Sequence, residues 1–314
     1  MSRIVILNAE PLCYNANAIK IIRGFAEYKE IDLDYIIKNN IAIEADGLIV
    51  RLERKIDKKV LDHFIGIKYI VSATTGLDHI DLKYSEEKNI KIISLRNHKD
   101  FIRTIPSTAE FTWGLVLSLI RNIPQAYQSV KNGKWDRDMF KGYQLKGKTI
   151  GIVGLGRIGK MIAKYASAFE MEVLFYDPYV YNPLFKKVDS LNTLLSNSDI
   201  VTVHVHLSDS TYNLLNKNNL TLMKKGSFIV NTSRGGIVNE KDLVSEIENK
   251  KLGGVAFDVL ENELEGLENN ELYKASKKYT NILITPHIGG ASYDAMAACE
   301  IFTANELKKT VLNS

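Results

Sequence analysis

Thr149-Ile-Gly-Ile-Val153 runs directly into Gly154-Leu-Gly156-Arg-Ile-Gly159, and a helical pattern to Phe169 follows at once. A β-branched run, three glycines at this spacing and a helix start leave few folds open. The first glycine permits the tight turn, the second lets a pyrophosphate approach the backbone, and the third lets helix and strand pack closely. The helix start then offers N–H groups and a positive dipole end to phosphate. Glycine spacing alone also describes a turn that binds nothing. The next strand run, Val173-Leu-Phe-Tyr176, decides between the two readings, because it ends in Asp177, about 20 residues on. A carboxylate there accepts the ribose hydroxyls of NAD and repels the 2′-phosphate of NADP. No arginine follows in Asp177-Pro-Tyr-Val180, and the nearest cations are Lys186 and Lys187.

Short β-branched runs alternate with amphipathic stretches along most of the chain. Candidate strands are Ile4–Leu7, Leu48–Val50, Tyr69–Val71 and Lys91–Ser94, then Thr149–Val153, Glu172–Tyr176, Ile200–Val203, Phe228–Asn231, Gly254–Phe257 and Asn281–Thr285. Helical patterns lie between them, at Asn17–Tyr28, Gly156–Phe169 and Glu240–Asn249 among others. This alternation predicts parallel sheets with crossover helices, an α/β fold. At roughly 150 residues per domain, 314 residues predict two domains. The boundary falls near residue 100, where Arg96–Thr104 has no periodicity. Pro106-Ser-Thr-Ala-Glu110 then opens an apolar helix, with Ser107 and Glu110 at capping-box spacing, running to about Asn122. A last helical stretch covers Ala291–Leu312, and Glu261–Lys278 reads as a solvated loop with a helical turn or two.

Composition excludes several classes. With 45% hydrophobic and 25% charged residues the chain is neither disordered nor collagen-like. Lys plus Arg minus Asp plus Glu is 41 − 37 = +4, too weak over this length to suggest nucleic acid. Cys13 and Cys299 stand in no metal-ligand spacing, so no metal is expected and a reducing compartment is the simpler reading. Met1-Ser-Arg3 meets Ile4-Val-Ile-Leu7 without the pattern of a signal segment. Phe111–Ile120, the longest nearly apolar run, is about half of the ~20 residues a membrane span needs. A cytoplasmic protein is expected, with no membrane partner.

In an open parallel sheet, ligands sit beyond the carboxyl ends of the strands. The residues there in the second set of strands are Gly154, Asp177, His204, Thr232-Ser233-Arg234, Asp258 and, two residues further on, His287. All are polar or glycine, although the strands are apolar. Arg234, in Asn231-Thr-Ser-Arg-Gly-Gly236, can hold a carboxylate or carbonyl oxygen with a bidentate fork; it can equally cap the next helix or pair with an acid. His287, in Thr285-Pro-His-Ile-Gly-Gly290, suits reversible proton exchange near neutral pH. Glu263 follows Asp258 on the departing loop, and a carboxylate beside His287 orients the ring and favours the imidazolium. Glu261 and Glu265 read as solvated surface charges.

Together these residues resemble the D-isomer-specific 2-hydroxyacid dehydrogenases, and the resemblance covers essentially the whole chain. Gly154-x-Gly-x-x-Gly159 with Asp177 looks like the family's NAD fingerprint. Asn231-Thr-Ser-Arg-Gly-Gly-Ile-Val238 looks like its arginine motif, Asp258-Val-Leu-Glu-Asn-Glu263 like its acidic motif with Asn262 for proline, and Thr285–Gly290 like its histidine motif. The resemblance implies that Arg234, Glu263 and His287 are catalytic and that Asp258 holds the nicotinamide carboxamide. It further implies NAD contacts from Thr75, Thr108, Gly154, Gly156, Arg157, Ile158, Gly159, Asp177, His204, Val205, Thr232, Ser233, Gly289 and Gly290. Substrate would meet Thr74, Thr75 and Gly76, whose loop amides hold a carboxylate, together with Arg51, Arg234 and His287. The implied architecture is two Rossmann-like domains. Residues 1–102 and 289–314 form a flavodoxin-like substrate domain, and 103–288 form the NAD-binding domain inserted into it. His206 stands where the family has proline.

The resemblance implies an NAD-dependent oxidoreductase for a small anionic 2-hydroxy or 2-keto acid. A phosphite dehydrogenase and an NADH-sensing corepressor-type binding protein remain alternatives on the same fold. Arg51, Arg54 and Lys55 cluster after a strand and could receive a second anionic group, or form a solvated basic loop. The helix from Ser107 to Asn122 carries Phe111, Trp113, Leu115, Val116, Leu117, Leu119 and Ile120 nearly all round, which predicts cover from a symmetric partner and a homodimer.

Overall fold

The computed structural model describes residues 4–313, so the reading of Met1-Ser-Arg3 lies outside the described residues. The chain falls into two compact units. Residues up to Ile105, with those from Ser292 onward, make the first, and Pro106–Ala291 the second. The boundaries thus lie three residues later than the sequence placed them.

The first unit holds β1 (Val5–Asn8), β2 (Glu27–Glu30), β3 (Ile43–Glu44), β4 (Gly47–Val50), β5 (Phe64–Ile65), β6 (Tyr69–Ser72) and β7 (Lys91–Ser94). β3 and β5 pair with each other, and the other five form a parallel sheet in the order β2-β1-β4-β6-β7. Counted within that sheet the order is 2-1-3-4-5, the flavodoxin-like winding. One face packs on Leu33, Leu61, Phe64 and Tyr84. The other meets Ala18 and Ile22 of the helix Ala16–Arg23, and Ala304, Leu307 and Val311 of the helix Tyr293–Leu312. The sequence extended the first of these helices to Tyr28. It stops at Arg23 because Glu27–Glu30 joins the sheet beside β1, with Tyr28 buried and its hydroxyl accepting from Asn8 Nδ2 at 2.9 Å.

The second unit holds β8 (Thr149–Val153), β9 (Glu172–Tyr176), β10 (Lys186–Lys187), β11 (Ile200–Val203), β12 (Ser227–Asn231), β13 (Leu252–Phe257) and β14 (Ile282–Ile284), all parallel, in the order β10-β9-β8-β11-β12-β13-β14. Counted within the unit this begins 3-2-1-4-5-6, the Rossmann order, with its switch point between β8 and β11. Alternate strand residues feed two cores. Val153, Val201, Val203, Ile229 and Val255 face one, while Ile150, Ile152, Ile200, Val230 and Ala256 face the other. Burial on both faces is why these strands read as unbroken apolar runs.

The helix Ser107–Ile120 departs from expectation in three ways. Its N-cap is Pro106 and no side chain caps it; Ser107 Oγ instead donates to Gly289 O at 3.0 Å. The helix also finds its cover at home. Ala109, Trp113, Leu115, Val116, Leu119 and Ile120 are core residues of the unit, with Phe111 and Leu117 packed beside them. It ends two residues early, because Asn122 turns left-handed at φ +53° and a second helix, Ile123–Lys131, begins. Glu261–Lys278 holds the short helical turns expected of it, and the last of them, Glu271–Ser276, buries Leu272 and Ala275 instead of standing wholly in solvent. Among the described residues no helix is long and apolar enough to cross a membrane.

Candidate active site

The site is built at the carboxyl ends of β8–β14. Gly154 turns at φ +90°, and a Cβ there would lie 2.7 Å from Val205 Cγ1 and 2.8 Å from His204 O. A Cβ on Gly159 would lie 2.2 Å from Gly154 O. Gly156 differs, because nothing lies within 4 Å of its Cβ position. It is the N-cap of the helix Arg157–Ala168 with no capping side chain. Among the described residues nothing accepts from the amides of Gly156 and Ile158. A crowded turn that opens at one glycine onto unpaired helix N–H groups fits a pyrophosphate. Asp177 closes the turn. Its Oδ2 accepts from Leu155 N at 2.9 Å, and its Oδ1 accepts from Tyr179 N and Val180 N. At the switch point the ring Nε2 of His204 is buried with no partner among the described residues, and burial pushes that imidazole down to about 3, so it is neutral.

The arginine motif is a braced turn. Asn231, fully buried, accepts from Ser233 N at 3.0 Å and donates to Arg234 O at 2.9 Å. Thr232 Oγ1 shares a hydrogen with Thr112, which itself donates to Thr108 O, and Ser233 Oγ donates to Val203 O. The hydroxyls of Thr232 and Ser233 are thus spent inside the unit. Arg234 is half-buried, and its Nη1 donates to Ser233 O at 2.7 Å.

The histidine motif is clamped by Asp258. That buried carboxylate accepts from Thr285 Oγ1 at 2.6 Å, Ile288 N at 2.9 Å and Gly289 N at 2.7 Å, and burial raises its pKa. The resemblance gave Asp258 to the nicotinamide; the structure engages it in shaping the loop. The clamp holds His287 in a left-handed conformation at φ +55°, with its N–H on Asp258 O. His287 Nδ1 is hydrogen-bonded to Glu263 Oε1, and Nε2 has no partner among the described residues. The other oxygen of Glu263 accepts from Leu260 N at 3.0 Å.

Arg234 and Glu263 are tied through backbone. A Cβ on Gly235 would fall 2.0 Å from Leu260 C and 2.1 Å from Glu261 N, so the arginine turn lies flat on the loop that leads to Glu263. Beneath that loop is a residue the sequence did not single out. Glu240, buried, accepts from Glu261 N at 2.8 Å and from Asn270 Nδ2. An acid at the first turn of a helix reads as a dipole partner, and no sequence signal separates that from a loop anchor.

In the first unit, Thr74 shapes its loop, with Oγ1 donating to Gly76 O and its carbonyl accepting from Leu95 N. Among the described residues nothing accepts from the amides of Thr75, Gly76 and Leu77. Arg51 is placed otherwise than expected. It is 3.7 Å from Glu53 and Glu300 and 4.0 Å from the buried Glu10, and its Nη2 donates to Leu12 O. Arg54 pairs bidentately with Asp34. Neither arginine presents an unpaired fork to a second anionic group.

Residues 113–289 match the family described as D-isomer specific 2-hydroxyacid dehydrogenase, NAD binding domain. The chain is 35% identical over 268 residues to the hydroxypyruvate reductase of Thermotoga maritima, spanning 85% of this chain and 84% of that protein. It is 35% identical to the D-3-phosphoglycerate dehydrogenase of Methanocaldococcus jannaschii over 98% of this chain, but spans only 57% of that relative's length. Among solved structures, the D-lactate dehydrogenase from Aquifex aeolicus complexed with NAD and lactic acid superposes with a TM-score of 0.81 at 25% identity, covering 98% of this chain and 96% of that one. The chain belongs to the D-isomer specific 2-hydroxyacid dehydrogenase family. Its dinucleotide is NAD, which the open Gly156 turn and Asp177 fit.

Proposed function

We propose that the protein interconverts a small D-2-hydroxy acid and its 2-keto acid, using NAD in preference to NADP. The observation that carries this reading is His287, with Nδ1 held by Glu263 and Nε2 without a partner among the described residues, while the Arg234 turn is packed against the loop that leads to Glu263. When bound, NAD supplies the acceptor for the hydride that leaves the hydroxy carbon, or its donor in reverse.

The side chains supply the rest. Glu263 accepts from Nδ1–H, so the neutral ring carries its lone pair on Nε2. From there His287 takes the hydroxyl proton in oxidation and returns it to the carbonyl oxygen in reduction. The Arg234 guanidinium suits the substrate's carboxylate and carbonyl oxygens, and counters the negative charge that grows on the latter. In the first unit, the amides of Thr75, Gly76 and Leu77, unpaired among the described residues, suit a carboxylate.

A homodimer is also proposed, on a different surface from the helix that suggested it. Ile123, Tyr127, Val130, Trp135, Met139 and Tyr143 are all exposed along one continuous stretch, Trp135 to 90%. Apolar exposure of that kind marks a contact surface. Light scattering giving a 35.4 kDa particle at micromolar protein removes the dimer. Cys13, exposed, and Cys299, buried, form no disulfide among the described residues, which favours a reducing compartment such as the cytoplasm.

Initial rates with glyoxylate, hydroxypyruvate, 3-phosphohydroxypyruvate, pyruvate and 2-ketoglutarate, each with NADH and NADPH, test the proposal. Turnover of at least one acid with NADH preferred is expected. No turnover of any, or a preference for NADPH, overturns it.

A further inference from the structure

Glu240 opens the helix Glu240–Glu248, and the chain between Arg234 and that helix is pinned by backbone hydrogen bonds. Asn213 N donates to Gly236 O, Leu215 N to Ile237 O and Asn239 N to Leu215 O. From this frame the buried Glu240 carboxylate reaches across to the loop that carries Glu263. One oxygen accepts from Glu261 N, and the other accepts from Asn270 Nδ2, which also lies 3.4 Å from Glu261 O. Asn270 cannot turn its amide round, because its Oδ1 accepts from Tyr273 N at the start of the next helix. The side chain of Glu261 is held as well, by Tyr212 OH at 2.7 Å. Next to Glu261 is Leu260, whose N–H seats Glu263, and Glu263 in turn holds His287. Hydrogen bonds and the backbone links between neighbouring residues therefore connect the Arg234 frame, through Glu240, to the imidazole.

We infer that Glu240 is a positioning residue for proton transfer: by fixing Glu261 and Asn270 it sets the loop that aims Glu263, and through it His287, relative to Arg234. The inference rests on the proposed roles of His287 and Glu263. Helix stability alone does not call for it. Asn239 already caps that helix, accepting from Asp242 N, and a carboxylate acting only on the helix dipole would be left in water rather than buried against a neighbouring loop. Burial raises the Glu240 carboxyl to about 7 although its hydrogen bonds from Glu261 and Asn270 lower it, as for a carboxyl kept out of solvent.

The test is a double-mutant cycle. Glu240→Gln keeps an acceptor for Glu261 N but sets its amide against that of Asn270. With a keto acid and NADH, kcat should fall roughly ten- to hundredfold, as for other small misplacements of a reacting group. KM and the NADH Kd should stay within about twofold. In a Glu263→Gln background the same change should cost almost nothing, because the group it positions is already gone. Glu240→Gln with Asn270→Asp exchanges donor and acceptor and should recover most of the lost kcat. Wild-type kcat in Glu240→Gln, an equal loss in both backgrounds, or no recovery in the exchanged pair overturns the inference. If His287→Ala and Glu263→Gln are both fully active, the proton-transfer reading beneath it fails first.

Discussion

The two ends of the second sheet solve different problems by opposite means. At β8 and β9 the candidate surface is what remains when side chains are removed: glycines too crowded for a Cβ, one glycine facing open space, and the amides of Gly156 and Ile158, from which nothing accepts among the described residues. At β12–β14 it is made of side chains, each oriented by a buried acid or amide. Asp258 shapes the His287 loop, Asn231 braces the Arg234 turn, and Glu240 holds the Glu263 loop. The first end needs only local backbone geometry. The second needs partners far apart in sequence, and several groups must be right together.

The contrast is sharpest where the chemistry is removed outright. His287→Ala should lower kcat by about 10²–10⁴ and leave NADH binding unchanged, read by steady-state kinetics and fluorescence titration. A matched loss of NADH affinity would mean the two ends are not separable. The converse change is Gly159→Ala. Its methyl would lie 2.2 Å from Gly154 O, so the turn must move, destabilising the unit by about 1–3 kcal/mol. NADH affinity should fall while kcat at saturating dinucleotide holds; an unchanged Kd would show that the turn does not carry the phosphates.

The smallest effect concerns stability rather than rate. Folded Glu240 keeps its proton to about pH 7, against 4.5 for the free group. A raised carboxyl contributes stability that is full below pH 4.5 and is lost as pH rises towards 7. Over that interval the wild-type Tm should fall relative to Glu240→Gln by roughly a few degrees. Parallel Tm curves would place Glu240 in water instead of beneath the loop.

This division also explains what could be read from sequence. Gly154, Gly156, Gly159 and Asp177 are legible because backbone demands are met by residue type at fixed local spacing. The buried strands are legible because both faces want apolar residues. Glu27-Tyr-Lys-Glu30 hides as helix, since at the edge of its sheet it needs only Tyr28 inside. Ser107 has capping spacing but bonds Gly289, a partner far along the chain. The use of Asp258 as a loop clamp and of Glu240 as a loop anchor depends on contacts between β13, β14 and the helix Glu240–Glu248. Arg51 sits at a strand end, where ligand contacts are expected, but the carboxylates of Glu10 and Glu300 come from distant segments and claim it. No local pattern announces such pairings.

The helix Tyr293–Leu312 has a bearing on how the chain is made. It is synthesised after the whole of the second unit yet completes the core of the first, where Ala304, Leu307 and Val311 meet Ala18 and Ile22. On the ribosome, the segment up to Ile105 must wait while all of Pro106–Ala291 emerges, a delay on the order of ten seconds or more at usual elongation rates. During that interval Ala18 and Ile22 of the helix Ala16–Arg23 lack the part of their cover that Ala304, Leu307 and Val311 supply. Pulse proteolysis of stalled chains reads the order directly: protection should reach residues 106–291 before residues 4–105, and the reverse order would show that the early segment closes its core without the late helix.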